Sequence, residues 1–220
     1  PVTVLCISDV IGDDPGTVGS GPCAPDPRWA REVLSLLESV AGARDIPVSV
    51  RRLLERQAAG DLPDTLKPGD AVFRNVTTHV IASNRLAVRG VARRAQELGL
   101  PVLAGASDLS GEAREAGTRI GAFLRAGGGG ASCFVWGGET TVSLGAGTAG
   151  QGGRCQELAL AAAAELDDVP GVALLAAGTD GRDGPTDAAG ALVDGATWAR
   201  IAGLGRNPEA DLSAHDSYHA

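Results

Sequence analysis

The sequence predicts an α/β protein: a partial, Rossmann-like parallel-sheet domain followed by a smaller α/β domain. Three observations carry that reading. Along the 220 residues, short apolar runs rich in β-branched side chains alternate with stretches of helical periodicity, the pattern that βαβ units leave in a sequence. Hydrophobic residues make up 44% of the chain and aromatics only 3%, so the core must be built from Leu, Val, Ile and Ala, as helix-on-sheet layers often are. A four-glycine run at residues 127–130 divides the chain as a hinge or linker would. The first domain is therefore expected at residues 1–127 and the second at residues 131–220.

Residues 2–7 form a continuous apolar run that stops at Ser8-Asp9, which predicts a fully buried strand of a parallel sheet. The loop at residues 9–27 carries four Gly and four Pro. Asp26-Pro27 then reads as an N-cap with Pro at the first helical position, and Val33, Leu34, Leu37 and Val40 share one face of the helix behind it. A second helix is expected near residues 50–59 and a strand at 76–82. Ser83-Asn84 opens a helix that closes at Leu98-Gly99, with Gly in the C′ place. Residues 101–104 read as a short strand. Residues 110–126 read as a helix with Ala113, Ala116, Ile120 and Phe123 facing inward. Beyond the glycine run come two short strands, 133–136 and 140–144, and an Ala-rich helix over Arg154–Leu166. A buried strand at 172–177, a short strand at 191–193, a helix near Thr197–Gly203 and a frayed tail complete the chain.

The net charge of −8 argues against nucleic acid or an anionic membrane as partner, since both need a basic face. A small anion can still bind where Arg or backbone N–H groups converge. No apolar run approaches the roughly 20 residues that span a bilayer, and no signal-peptide pattern is visible. The four cysteines, Cys6, Cys23, Cys133 and Cys155, include no CxxC pair, so reduced thiols in a cytoplasmic protein are expected. With no Met in the chain and an apolar run starting at Val2, both ends are read as lying inside a longer polypeptide.

Three loops at strand ends or helix starts carry the candidate chemistry, because ligands bind at that edge of an open α/β sheet. The first, residues 8–22, holds Asp9, Asp13 and Asp14, which repel one another unless a cation or donor sits among them. They would hold Mg2+ or accept a substrate hydroxyl proton, or else serve as Asx-type turn caps. The second, residues 145–154, contains a G-x-G-x-x-G before a helix. The acidic residues about 20 positions on, Asp167 and Asp168, precede the next strand where the ribose acid should end it, and Asp180 lies about 30 residues on, so a plain anion-binding glycine loop fits better than a dinucleotide fingerprint. Arg154 opens that helix, where a cation faces the positive end of the dipole unless an anion is bound or the side chain points to solvent. The third, residues 178–187, alternates Asp180, Asp183 and Asp187 with Gly and Thr, an oxygen-rich pattern better suited to Mg2+ with a nucleotide phosphate than to a calcium loop. There is no GxxxxGK[ST] and no GxSxG, which excludes a P-loop and leaves a hydrolase triad unsupported. His215 and His219 are read as a chance pair.

Taken together and in order, several stretches resemble the type II glycerate kinases, also called glycerate 2-kinases or the MOFRL family. They are Ser8-Asp9-Val10 with Gly12-Asp13-Asp14, Ser20-Gly21-Pro22, Gly111-Glu112-Ala113-Arg114 and Gly137-Gly138-Glu139-Thr140-Thr141-Val142. Further along come Gly152-Gly153-Arg154-Cys155-Gln156-Glu157, Thr179-Asp180-Gly181 with residues 183–190, and Asp216-Ser217-Tyr218. The resemblance implies a kinase dependent on ATP and Mg2+ that phosphorylates D-glycerate to 2-phosphoglycerate, built of two domains with the site in the cleft between them. It implies that Arg154 is the family's active-site arginine. Ser20, Glu139, Gly152, Gly153 and Arg154 are expected to bind substrate or phosphate, and Asp180 and Asp183 to meet the metal. Asp9 is expected to orient or deprotonate the glycerate hydroxyl.

Departures from the family pattern are Cys155 and His215, where Asn is usual. The family's active-site lysine belongs to a first half outside this sequence, so the polypeptide as given is expected to be inactive alone. Glycerate and a nucleotide are the expected partners, and a homodimer is compatible with the sequence. An NAD(P)H-dependent hydroxypyruvate reductase and a non-catalytic remnant are the alternatives.

Overall fold

The computed structural model describes residues 1–41, 45–104, 108–127, 131–145 and 149–220. Its contacts divide the chain into two units, Pro1–Ser83 and Asn84–Ala220.

In the first unit, β1 (Val2–Ser8) runs parallel to β2 (Val76–Ser83), with Val2 opposite Val76 and Ser8 opposite Ser83. The crossover contains α1 (Ala30–Ala41) and α2 (Val48–Ala58), which pack on each other. The parallel pairing agrees with the expectation, but the full burial of β1 does not. Leu5 is 63% exposed and Ile7 73%, because among the described elements only β2 and the short 3-10 turn Val18–Ser20 pack substantially against β1. An apolar run specifies a strand that is able to be covered, but it does not specify the element that covers it.

The start of α1 also differs from the Asp26-Pro27 expectation. Asp26 instead closes a local turn, accepting from the Arg28 N–H at 2.9 Å and from Thr65 Oγ1 at 2.9 Å. The helix starts at Ala30, where Glu32 reaches back to the Trp29 N–H (2.7 Å) and Asp64 accepts from the Ala30 N–H (3.0 Å). The first of these is half a capping box; the second comes from a distant residue that local pattern cannot reveal. Val33, Leu34 and Leu37 are half-buried as expected, whereas Val40 is exposed.

In the second unit, α3 (Asn84–Glu97) ends as predicted. Gly99 has φ +79° and donates to Gln96 O (2.9 Å), while the Leu100 N–H donates to Ala95 O (3.0 Å), the Schellman pattern. The helix packs on β3 (Val102–Ala104) and β4 (Cys133–Val135), which pair in parallel. The glycine run expected as a hinge lies, apart from Gly127, outside the described residues.

Helix α4 (Ala113–Ala126) starts later than expected because residues 109–113 first lie beside residues 137–141. Leu109 N donates to Gly137 O and Thr141 N to Gly111 O, at 2.9 and 2.8 Å. Pairing stops where the chain turns helical at Ala113, so the strand expected at 140–144 is reduced to a single bridge at Thr141. Phe123, expected inside, is 49% exposed and meets Phe134 and Trp136 edge-on, at centroid distances of 5.0 and 5.8 Å.

Helix α5 (Arg154–Leu166) has the predicted bounds and forms the centre of this unit, with every residue from Gln156 to Ala163 buried. A helix apolar on all sides must be surrounded. It packs against α4 and against β5 (Ala173–Ala177) and β6 (Gly190–Asp194). The resulting core is aliphatic, with Ile120, Leu158, Ala162, Leu166, Leu174 and Val193 at its heart.

The β5–β6 pair is antiparallel, unlike the parallel β1–β2 and β3–β4 pairs. Its connection, residues 178–189, contains no helix, and without a crossover element the chain returns alongside in the opposite sense. The chain then forms α6 (Thr197–Gly203) and α7 (Pro208–Ser213). The second of these was not expected, although Asn207 is an N-cap accepting from the Ala210 N–H (3.1 Å) and Pro208 sits in the first turn. The tail beyond it is tied down rather than frayed.

Candidate active-site loops

The N-terminus of α5 is the convergence point of the second unit. Asp183, only 3% exposed, accepts from the Cys155 N–H (3.0 Å) and the Gln156 N–H (2.8 Å). Its two oxygens thus cap the helix and complement its dipole. Gly153, the N-cap residue, packs flat on that carboxylate: a Cβ there would stand 2.3 Å from Asp183 Cγ. Gly152 is similarly closed off by Ser217, whose Oγ would meet a Cβ at 2.3 Å. Only glycine allows the two loops and the C-terminal segment to approach this closely.

Arg154 leaves the helix start with its guanidinium half-exposed. Its Nη1 donates to Glu139 Oε1 and, at 3.3 Å, to Thr140 O. The Glu139 carboxylate raises the guanidinium pKa above its ordinary value, against a smaller opposing effect of burial. The cation at the positive helix end is therefore oriented by a carboxylate and does not simply point into solvent. Among the described residues, no acceptor is found for the N–H groups of Gly152, Gly153 and Arg154. Three unfilled backbone donors beside a guanidinium make a cradle for an anion.

Glu112 fixes the segment that carries Glu139. It accepts from Thr141 Oγ1 (3.0 Å), the Ser143 N–H (3.1 Å) and Ser143 Oγ (2.7 Å). These donors, the Ser143 hydroxyl first, hold its carboxyl below the usual range.

Asp180 and Asp183 were both expected to meet a metal, and the geometry separates them. Asp183 does not fit that role, since both oxygens are taken by helix N–H groups inside the fold. Asp180 is exposed, and only its Oδ1 is engaged, by the Arg182 N–H at 3.2 Å. No group of three or more His, Cys, Asp or Glu side chains suited to a metal occurs among the described residues. Cys155, beside Asp183, has its thiol pushed up to about 11, first by burial and then by the Asp183 charge.

In the first unit, Asp9 is exposed just past the end of β1, and Ser20 is exposed in the left-handed region at φ +64°. Asp14 takes the turn-capping role considered for it, accepting from Thr17 Oγ1 (2.7 Å) and the Gly16 N–H (3.3 Å). The G-x-G-x-x-G segment falls partly outside the described residues, at 146–148.

Sequence reasoning missed two features. Asp216 accepts from the Gln151 N–H (2.9 Å), Arg206 Nη2 (3.0 Å) and His219 Nδ1 (2.7 Å), which hold its carboxyl below the usual range, His219 contributing most. Glu157 is buried within α5 between His215 Nδ1 (2.8 Å) and Arg114 Nε (3.7 Å), pairing that a carboxylate inside a core requires. The Asp-Ser-Tyr motif was the available signal for the first. The second could be seen only as an unexplained Glu in an otherwise apolar helix.

This arrangement defines an α/β protein with glycine loops gathered at a helix start. Comparison with known proteins sharpens that class. Residues 132–220 match the MOFRL family, and residues 1–55 match a domain of unknown function, DUF4147. The chain is 39% identical to a glycerate 2-kinase of Pyrococcus horikoshii, over 99% of this chain and 50% of that protein. It is 37% identical to a putative hydroxypyruvate reductase of Agrobacterium vitis, over 100% of this chain and 49% of that one. The crystal structure of a glycerate kinase from Thermotoga maritima superposes with a TM-score of 0.83 at 35% identity, covering 98% of this chain and 50% of the other. By sequence and by fold the chain is similar to glycerate kinases along nearly its whole length, and it spans about half the length of these relatives.

Proposed function

We propose that the chain is part of an ATP-dependent kinase that phosphorylates D-glycerate to 2-phosphoglycerate. The observation that carries this reading is the anion cradle before α5: the unfilled N–H groups of Gly152, Gly153 and Arg154 beside a guanidinium held by Glu139. Phosphoryl transfer asks mainly for positioning and for stabilisation of spread negative charge, and fixed donors provide both without reorganising. Arg154 would bind transferring or substrate oxygens, and Glu139 would orient it. A carboxylate repels phosphate, so Glu139 would meet substrate only through a hydroxyl.

The nucleotide phosphates would bring Mg2+, a cation that offsets part of their charge and needs only one or two protein carboxylates. Asp180 fits that need and Asp183 does not. Asp9 is proposed to orient or deprotonate the glycerate hydroxyl, and Ser20 to donate to a substrate or phosphate oxygen. A division at residues 127/131 between a Rossmann-like and a MOFRL-type domain is proposed from the MOFRL match beginning at residue 132, whereas by contacts α4 groups with the second unit, Asn84–Ala220. A cytoplasmic setting is supported by four cysteines that are all free. No helix among the described residues is long and apolar enough to cross a membrane.

The test is turnover by the full-length natural protein. Glycerate with ATP and Mg2+ should yield 2-phosphoglycerate, whereas turnover of hydroxypyruvate with NADH would favour the reductase name that some relatives carry. Arg154→Ala should lower kcat/KM by about 10²–10³-fold, the usual effect of removing a transition-state donor. Unchanged kinetics in that variant would remove the cradle from the mechanism.

A further inference from the structure

We infer that Asp216 is a positioning residue for the glycine loop ahead of α5, with residues 214–218 acting as a clasp that holds both candidate phosphate loops. The claim that the clasp serves catalysis rests on the reading of that loop as an anion cradle.

The cradle needs such a device because its own sequence cannot fix it. Residues 150–153 are Gly-Gln-Gly-Gly, the least self-ordered kind of backbone. The Asp183 cap holds the N–H groups of Cys155 and Gln156 and stops there.

The clasp holds what precedes. Gly150 N donates to Ala214 O (2.8 Å), Gln151 N to Asp216 Oδ1 (2.9 Å), and Tyr218 N to Gln151 O (2.9 Å). Three bonds from one short segment thus set the orientation of two consecutive loop residues, and through them the direction of the Gly152 and Gly153 N–H groups. The same segment reaches the third loop, where Tyr218 OH donates to Asp187 Oδ1 at 2.7 Å.

Asp216 is itself held in place. Arg206 Nη2 binds its second oxygen at 3.0 Å, and the same guanidinium is gripped by Asp211 through two bonds of 2.9 and 2.7 Å. At the other end His215 anchors the segment to the buried Glu157. A carboxylate with this much support, whose one backbone contact among the described residues is to the glycine loop, acts through that loop and not on substrate directly.

The test compares Asp216→Ala and Asp216→Asn with the wild type in the full-length natural protein, reading steady-state kinetics, folded fraction and amide exchange of residues 150–154. The Ala variant should remain folded at 25 °C, show exchange at Gly150 and Gln151, the two amides that the clasp binds, faster by about tenfold or more, and lose up to about 100-fold in kcat/KM. The Asn variant retains an oxygen for the Gln151 N–H and should recover part of both effects. A merely structural role would lower the folded fraction and scale kcat with it, leaving KM and the local exchange pattern unchanged, and that outcome would overturn the inference. Should Asp216→Ala fail to fold, Asp216→Ser, whose side chain is too short to make the carboxylate's contacts, takes its place: wild-type exchange of Gln151 and wild-type kinetics in that folded variant would also overturn the inference, while faster local exchange there would support it. A wild-type protein without kinase activity would refute the kinase reading, yet the exchange of Gln151 would still decide whether the clasp exists.

Discussion

Two glycine-to-alanine changes, both inside helices of the second unit, should move stability in opposite directions. In a helix interior the exchange gains about 1 kcal/mol from backbone entropy and propensity. At Gly90, exposed on α3, a Cβ meets nothing within 4 Å, so Gly90→Ala should stabilise by roughly 0.5–1 kcal/mol. Gly117 lies where α4 crosses α5. A Cβ there would stand 2.1 Å from the Leu158 carbonyl oxygen and 3.0 Å from Ala161 Cβ. The obstruction is the backbone of a buried helix, which cannot rotate aside as a side chain does.

Relief therefore requires α4 to retreat by about 1 Å, since carbon atoms pack best near 3.5–4 Å. The retreat would loosen Ala113, Ala116 and Ile120 from Leu158 and Ala162. Overpacking of this kind costs typically 1–3 kcal/mol. With a backbone obstacle the upper end applies, leaving Gly117→Ala about 2 kcal/mol less stable after the propensity gain. That corresponds to a melting midpoint lower by about 4–8 °C for a domain of this size. Urea and thermal unfolding of both variants in the full-length natural protein would measure the difference. If Gly117→Ala matched Gly90→Ala in sign, the close crossing of α4 and α5 would be wrong.

Two further outcomes follow from charge and burial. Asp64 is lowered to about 2, first by the Ala30 N–H at the start of α1, helped by Thr65 and Lys67; because its folded value is depressed, the stability it contributes is fully present above its ordinary 3.8 and is lost as pH falls through about 2. Asp64→Asn should therefore be less stable than wild type at pH 6, with the gap closing between pH 3.8 and 2 in a series of unfolding curves. The Cys155 thiol, pushed up to about 11, should resist alkylation at pH 8 while exposed Cys23 is modified readily. Peptide mass spectrometry after iodoacetamide would show the order, and labelling of Cys155 as fast as Cys23 would contradict the burial assigned to it.

The elements most legible in the sequence were those written by local chemistry. The bounds of α5 and α6 followed from periodicity and flanking glycines, and the end of α3 from the left-handed turn at Gly99. Composition alone implied an aliphatic core, and α4, α5, β5 and β6 build one. Arg154 was singled out because a cation at a helix start is costly without a ligand or partner, and Gly152 and Gly153 because they belong to the glycine loop ahead of it and to the family resemblance. The Asp-rich loops were legible as chemistry but not as roles: the same residue type caps a helix at Asp183, closes a turn at Asp14 and is left exposed at Asp180.

What the sequence by itself determined is therefore the inventory: which segments turn helical, which residues can form a core, and which side chains carry charge to a loop. Tertiary structure alone decided how these were used. The Cys155–Asp183 bond joins residues 28 apart and the Gln151–Asp216 bond residues 65 apart, far beyond the few residues over which periodicity and capping act. The antiparallel return of β6, the exposure of β1 and the pairing of Glu157 with His215 have the same origin. Each depends on which surfaces meet when the chain closes on itself, and a carboxylate takes its role from the donors brought to it.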